Sequence, residues 1–121
     1  MREKAWMLML LAFAQPTWSH EAKIVDASAR GTMDALTFSV TLEHAETGWD
    51  DYADGWRVEL EDGTVLGTRV LYHPHVEEQP FTRSLSGVSV PEGTKKVFVR
   101  SRTLADGWGE SLFELDLRKD R

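Results

Sequence analysis

Apolar and polar residues alternate along most of this chain with the two-residue period of β-strands that bury one face. Leu36, Phe38, Val40 and Leu42 are separated by Thr37, Ser39 and Thr41, which puts the apolar set on a core and the hydroxyls on the opposite face. Trp56, Val58 and Leu60 repeat the pattern, and Glu61-Asp62-Gly63 supplies a turn into the next apolar run, Val65 to Tyr72. Further strands are predicted at Phe81 to Val90, with an irregularity at Ser86-Gly87, and at Lys95 to Arg102, with Val97 and Val99 inward. A last one is predicted at Leu112 to Leu117, with Phe113, Leu115 and Leu117 inward, and Ala22 to Ala27 reads as a first edge strand. No stretch has a convincing amphipathic helical period. About seven short strands in about 100 residues point to an all-β fold, an immunoglobulin-like or fibronectin-like β-sandwich, with a small barrel as the alternative.

The amino terminus departs from this period. Arg2 and Lys4 precede an apolar run from Ala5 to Ala14, and a polar, proline-containing stretch follows from Gln15 to Ser19, the three parts of a secretory signal. The apolar run is too short to span a bilayer. Two cleavage points compete. Ala12-Phe13-Ala14 has small residues at both recognition positions; so does Thr17-Trp18-Ser19, where Pro16 ends the signal's helix. Cleavage after Ser19 is preferred because it keeps a polar region behind the apolar one. It gives a signal peptide, 1–19, and a single domain, 20–121, which is 102 of the 121 residues. The mature protein is then periplasmic or secreted, with no membrane span.

Removing Arg2, Glu3 and Lys4 leaves 12 basic against 19 acidic residues and moves the formal charge from −6 to −7. That balance disfavours nucleic acid or an anionic membrane as partner, and suits cations and basic proteins. The chain contains no cysteine, which excludes a lipid anchor on cysteine, disulfides, iron-sulfur clusters and thiolate zinc sites. Catalytic motifs are missing: there is no Gly-x-Ser-x-Gly elbow, no phosphate-cradling glycine loop and no His-Glu-x-x-His helix. The chain therefore reads as a binding protein and not an enzyme.

The run from Thr82 to Gly93, with Leu85, Gly87 and Pro91-Glu92-Gly93, followed by Val97-Phe98-Val99-Arg100, resembles the later strands of a fibronectin type III domain. That resemblance covers about a third of the mature chain and implies a fold, not a function. The chain as a whole resembles small exported bacterial β-sandwich proteins of an uncharacterised family.

Four histidines remain after export: His20, His44, His73 and His75. Cleavage after Ser19 makes His20 the first residue, where its free amine and imidazole together form a chelate for copper. In His73-Pro74-His75 the two imidazoles lie two residues apart, so an extended backbone points them the same way, and Pro74 favours that backbone at His73. His44 continues the inward phase of Leu36 to Leu42 at the strand's end. A metal site would combine His20 with His44, His73 or His75 and a carboxylate from Asp51, Glu77 or Glu78; such nitrogen-rich ligation suits copper(II). The start His20-Glu21-Ala22-Lys23-Ile24-Val25 ahead of a β-sandwich is similar to periplasmic copper-binding proteins of the CopC type. The similarity implies that His20 ligates copper.

A second constellation is aromatic. Gly48-Trp49, Gly55-Trp56 and Gly107-Trp108 are three Gly-Trp pairs, and Ala53-Asp54-Gly55-Trp56 recurs as Ala105-Asp106-Gly107-Trp108. An Asp-Gly turn handing a tryptophan to the next strand is the reading for both copies. Trp56 shares the phase of Val58 and belongs in the core, whereas Trp49, Tyr52 and Trp108 are placed on loops as a platform for a protein or glycan partner. Asp50, Asp51 and Asp54 form an acidic loop without the spacing of an EF-hand, and Arg69, Arg83, Arg100 and Arg102 are candidate partners for acids across the sheet. Two functions from different classes are thus on the page: copper binding or delivery, and a carbohydrate-binding or protein-interaction module without metal.

Overall fold

The computed structural model describes residues 20–120. Residues 1–19, with the expected signal, lie outside the described residues. Eight antiparallel strands form two sheets: β1 (Lys23–Thr32), β2 (Ala35–Glu43), β3 (Ala53–Glu59), β4 (Val65–Val70), β5 (Phe81–Val88), β6 (Lys96–Thr103), β7 (Gly107–Trp108) and β8 (Phe113–Asp116). A single turn of helix, α1 (Leu117–Asp120), follows β8. One sheet has the order β1-β2-β5; the other runs β4-β3-β6, with both β7 and β8 paired to β6. The fold is the predicted β-sandwich.

The alternation in β2 sets the two faces of its sheet. Leu36, Phe38, Val40 and Leu42 are fully buried, and they meet Trp56 and Val58 of β3 and Val97 and Val99 of β6 in one core. The intervening hydroxyls pair across to β5: Ser39 Oγ lies 3.0 Å from Ser84 Oγ, and Thr41 Oγ1 lies 2.7 Å from Thr82 Oγ1. Cross-strand hydroxyl pairs of this kind support the register without contributing to the core.

Strand ends differ from expectation where side chains or turns take over from period. β1 runs on to Thr32, past the expected Ala27, because its whole length pairs with β2. The irregularity at Ser86-Gly87 is a bulge: the β2–β5 register jumps between Leu36 and Phe38, opposite a Gly87 with φ of 72°. Leu117 is buried as expected but begins the helical turn instead of ending a strand. β7 was not predicted, since two residues are too few to show a period.

Both tryptophan-bearing tetrapeptides were expected to be turns, and only one is. Ala53-Asp54-Gly55-Trp56 is interior to β3, whereas Ala105-Asp106-Gly107-Trp108 turns the chain into β7, with Gly107 at φ 75°. Trp56 is fully buried, as its phase required.

Phe38 lies at the centre of the core, and truncation leaves a cavity the rigid sheets cannot close. Phe38→Ala is expected to lower stability by about 3–5 kcal/mol in urea denaturation.

Candidate functional site

Strands β2, β4 and β6 all deliver their carboxyl ends to one end of the sandwich. There the segments 44–52, 71–80 and 104–106 meet, and the chain enters beside them at His20. All four histidines gather at this end. Two of them, His44 and His75, are joined by Glu46, a residue that belongs to no sequence motif.

The Glu46 side chain is completely buried. Its Oε2 accepts hydrogen bonds from the Ala53 amide at 2.6 Å and from His44 Nδ1 at 3.0 Å, and its Oε1 accepts from the His75 amide at 2.6 Å. One carboxylate thereby ties the segment after β2 to the start of β3 and to the segment after β4. Gln79 closes the same clamp, accepting from the His44 amide at 3.0 Å and donating to the His75 carbonyl at 2.8 Å. Glu46 continues the inward phase Leu36-Phe38-Val40-Leu42-His44, and an acid in that phase was the available signal. Gln79 gave none.

The histidines play different parts. His44 is buried, and its Nε2 donates to the His20 carbonyl at 3.1 Å while Nδ1 faces Glu46. Both ring nitrogens are thus engaged within the fold, and neither is free for a metal in this arrangement. His20 reaches His44 through its backbone carbonyl. His73 is exposed, and its ring lies 4.9 Å from that of His75, so the pair does share a side as expected from their spacing.

His75 is 6% exposed, stacked on Phe81 with ring centroids 3.9 Å apart. Both of its ring nitrogens are buried without a hydrogen-bond partner, and Nδ1 is 3.8 Å from Glu46 Oε1, beyond bonding distance. Burial holds its pKa below the ordinary imidazole value of 6.5; the Arg83 guanidinium adds to the effect and Glu46 opposes it. Among the described residues, no group of three or more histidines and carboxylates is assembled to hold a metal ion.

The aromatic residues divide. Trp49 is 66% exposed and meets Tyr52 edge to face, with ring centroids 5.7 Å apart and planes at 78°. The Tyr52 carbonyl accepts from the Leu104 amide at 2.9 Å, which links this pair to the β6–β7 turn. Trp108 is half-buried over the Arg57 guanidinium, 4.1 Å from its ring centroid. Arg57 in turn shares Glu59 with Arg100; both Nε atoms lie 2.7 Å from Glu59 Oε2. The Arg100 hydrogen bond holds the Glu59 carboxyl below the usual range, against the opposing effect of burial, and Arg57 adds to the lowering.

The expected arginine–acid pairs form in part. Arg102 pairs with Asp54, and Arg83 Nη2 lies 3.1 Å from Glu78 Oε1. Arg100 pairs with Glu59 and not with the acidic loop, while the Arg69 Nε is buried without a partner. In that loop, Asp51 closes a turn back to Gly48 through its amide.

The chain is 46% identical over 99 residues to a protein of Halomicrobium mukohataei (strain ATCC 700874 / DSM 12286 / JCM 9738 / NCIMB 13541) described as a "Putative lipoprotein". The match covers 79% of this chain and 47% of the relative, so the chain spans about half the length of the curated relative it matches. No family model and no solved structure matches.

Two measurements probe this end. Glu46→Ala strands the buried amides of Ala53 and His75 and is expected to cost about 3–5 kcal/mol in denaturant unfolding, with Glu46→Gln, which keeps one acceptor, losing less. Because the folded state resists protonating His75, the unfolded chain takes up a proton first as pH falls below 6.5. Stability therefore declines through that range, and His75→Phe, which keeps the stack but cannot titrate, flattens the decline in pH-dependent thermal melts.

Proposed function

We propose that this chain is an exported binding protein that works through the histidine end of its sandwich. The observation that carries the proposal is that two segments clamped by Glu46 and Gln79 bear both candidate chemistries at one end of the sandwich, the His73/His75 pair and the exposed Trp49/Tyr52 pair. Loops held on a rigid scaffold are where β-sandwich domains commonly bind. Export is favoured by the sequence of residues 1–19, and the relative's description as a lipoprotein accords with it.

For a metal ligand, the imidazoles of His73 and His75 are the donors that fit. They are neighbours, and the His75 nitrogens have no competing partner. With the amine of a mature His20 they would make a nitrogen-rich set of the kind copper(II) favours. The reading without metal rests on Trp49, whose exposure is unusual for so large an apolar side chain, and takes a protein or glycan as the ligand.

Copper(II) titration of the exported, processed protein separates them. Copper binding is expected to give one-to-one stoichiometry by calorimetry, nitrogen couplings by electron paramagnetic resonance, and at least tenfold weaker affinity in both His20→Ala and His73→Ala/His75→Ala. Weak binding that ignores these substitutions ends the copper reading and leaves the aromatic surface as the functional one.

A further inference from the structure

Exposed apolar side chains and charge are distributed together at the histidine end. Trp49, Tyr72, Val76 and Leu104 are 66%, 73%, 54% and 45% exposed, and they come from the three segments that meet there. Trp49 and Tyr72 are the large exposed aromatics of the described residues. The same three segments carry Glu46, Asp50, Asp51, Glu77, Glu78 and Asp106, and not one lysine or arginine. Glu46 is buried in the clamp and Glu78 is met by Arg83, while Asp50, Glu77 and Asp106 stand exposed in the same segments as the apolar residues. With Arg83 and Arg102 of the adjoining strands already paired to Glu78 and Asp54, the exposed apolar side chains share this end with acids of one sign, as on a protein-docking surface.

From this arrangement we infer that the histidine end docks a basic protein surface that lays apolar side chains on Trp49 and Tyr72. The inference rests on the reading that this end is the binding end, and it names the partner's chemistry. A second copy of the chain is disfavoured, because two identical acidic ends repel. Phosphate-bearing partners are disfavoured for the same reason. A glycan is best stacked on coplanar aromatic faces, whereas Trp49 and Tyr52 stand at 78° to one another. Because Glu46 and Gln79 hold segments 44–52 and 71–80, and the Leu104 amide is bonded to the Tyr52 carbonyl, docking does not have to order them first.

The test is a nuclear magnetic resonance titration of the processed protein with a short synthetic peptide of arginine and leucine. The same peptide with glutamate in place of arginine, a neutral glucan oligosaccharide, and copper(II) form the comparison arms. The arginine peptide is expected to shift the Trp49 indole and the amides around Tyr72 and Leu104, to bind more weakly as salt is raised, and to lose about tenfold in affinity in Trp49→Ala and in Tyr72→Ala. Both side chains are exposed, so the variants keep the fold, and unshifted core resonances verify it. Asp50→Lys/Asp106→Lys is expected to weaken binding further. Shifts scattered over the whole acidic surface, unaffected by Trp49→Ala and Tyr72→Ala, would overturn the inference, as would equal binding of the glutamate peptide. Copper or glucan moving these segments while the arginine peptide does not would sink the docking inference and leave the binding end standing. Responses confined to other surfaces would remove both.

Discussion

A single buried carboxylate organises the end of this molecule where its candidate chemistry lies. Glu46 sits at the mouth of the core with its side chain sealed from solvent, and it satisfies two backbone amides and one imidazole. A charge so placed is tolerated only when its lone pairs are filled, and here each oxygen has a donor. The consequence is geometric: the Ala53 amide starts β3, the His75 amide belongs to the segment leaving β4, and His44 ends the run of β2. The two ends of the β2–β3 connection and the middle of the β4–β5 connection are thereby fixed to one another by one side chain. Without it, the segments bearing Trp49 and Tyr72 would be surface loops with independent conformations.

The sandwich itself was legible because its physics is periodic. Leu36 through Leu42 announce a half-buried strand, and Val97 and Val99 another, so the core could be written down from alternation alone. The end of the sandwich obeys no period, and there the sequence is ambiguous in a way one tetrapeptide makes plain. Ala-Asp-Gly-Trp is a strand at residues 53–56 and a turn at residues 105–108. The same four residues answer to different surroundings. At Gly55 the Arg69 carbonyl of the neighbouring strand stands 3.1 Å from where a Cβ would sit, so glycine serves close strand approach; at Gly107 it serves a left-handed turn with nothing nearby. Local propensity offers both outcomes and tertiary pairing selects between them.

The histidines show a similar limit. Their spacing correctly places His73 beside His75, but spacing is blind to competition for ring nitrogens. His44 was a natural ligand candidate by phase, yet that phase also delivers it to Glu46 and to the His20 carbonyl, which occupy both nitrogens. The acid that captures it lies only two residues on, yet it also reaches the His75 amide 29 residues away, a pairing that spacing does not announce as it does Asp51, Glu77 or Glu78. Donor types can be read from a chain; which donors are already spent on the fold cannot.

His75 is the exception that gives this end its tension. An imidazole stacked on Phe81, with both nitrogens buried and unpartnered, forgoes hydrogen bonds that water would supply in the unfolded chain. An apolar ring would fill the same stack without that cost. The backbone of His75 does the structural task, through its amide to Glu46 and its carbonyl to Gln79, and neither contact needs an imidazole. The side chain is thus dispensable to the clamp and unfavourable where it lies, yet it adjoins the exposed ring of His73 and the acidic, aromatic surface around it. The unmet hydrogen bonds of both ring nitrogens are therefore a cost carried by the imidazole alone, while the backbone of the same residue secures the clamp.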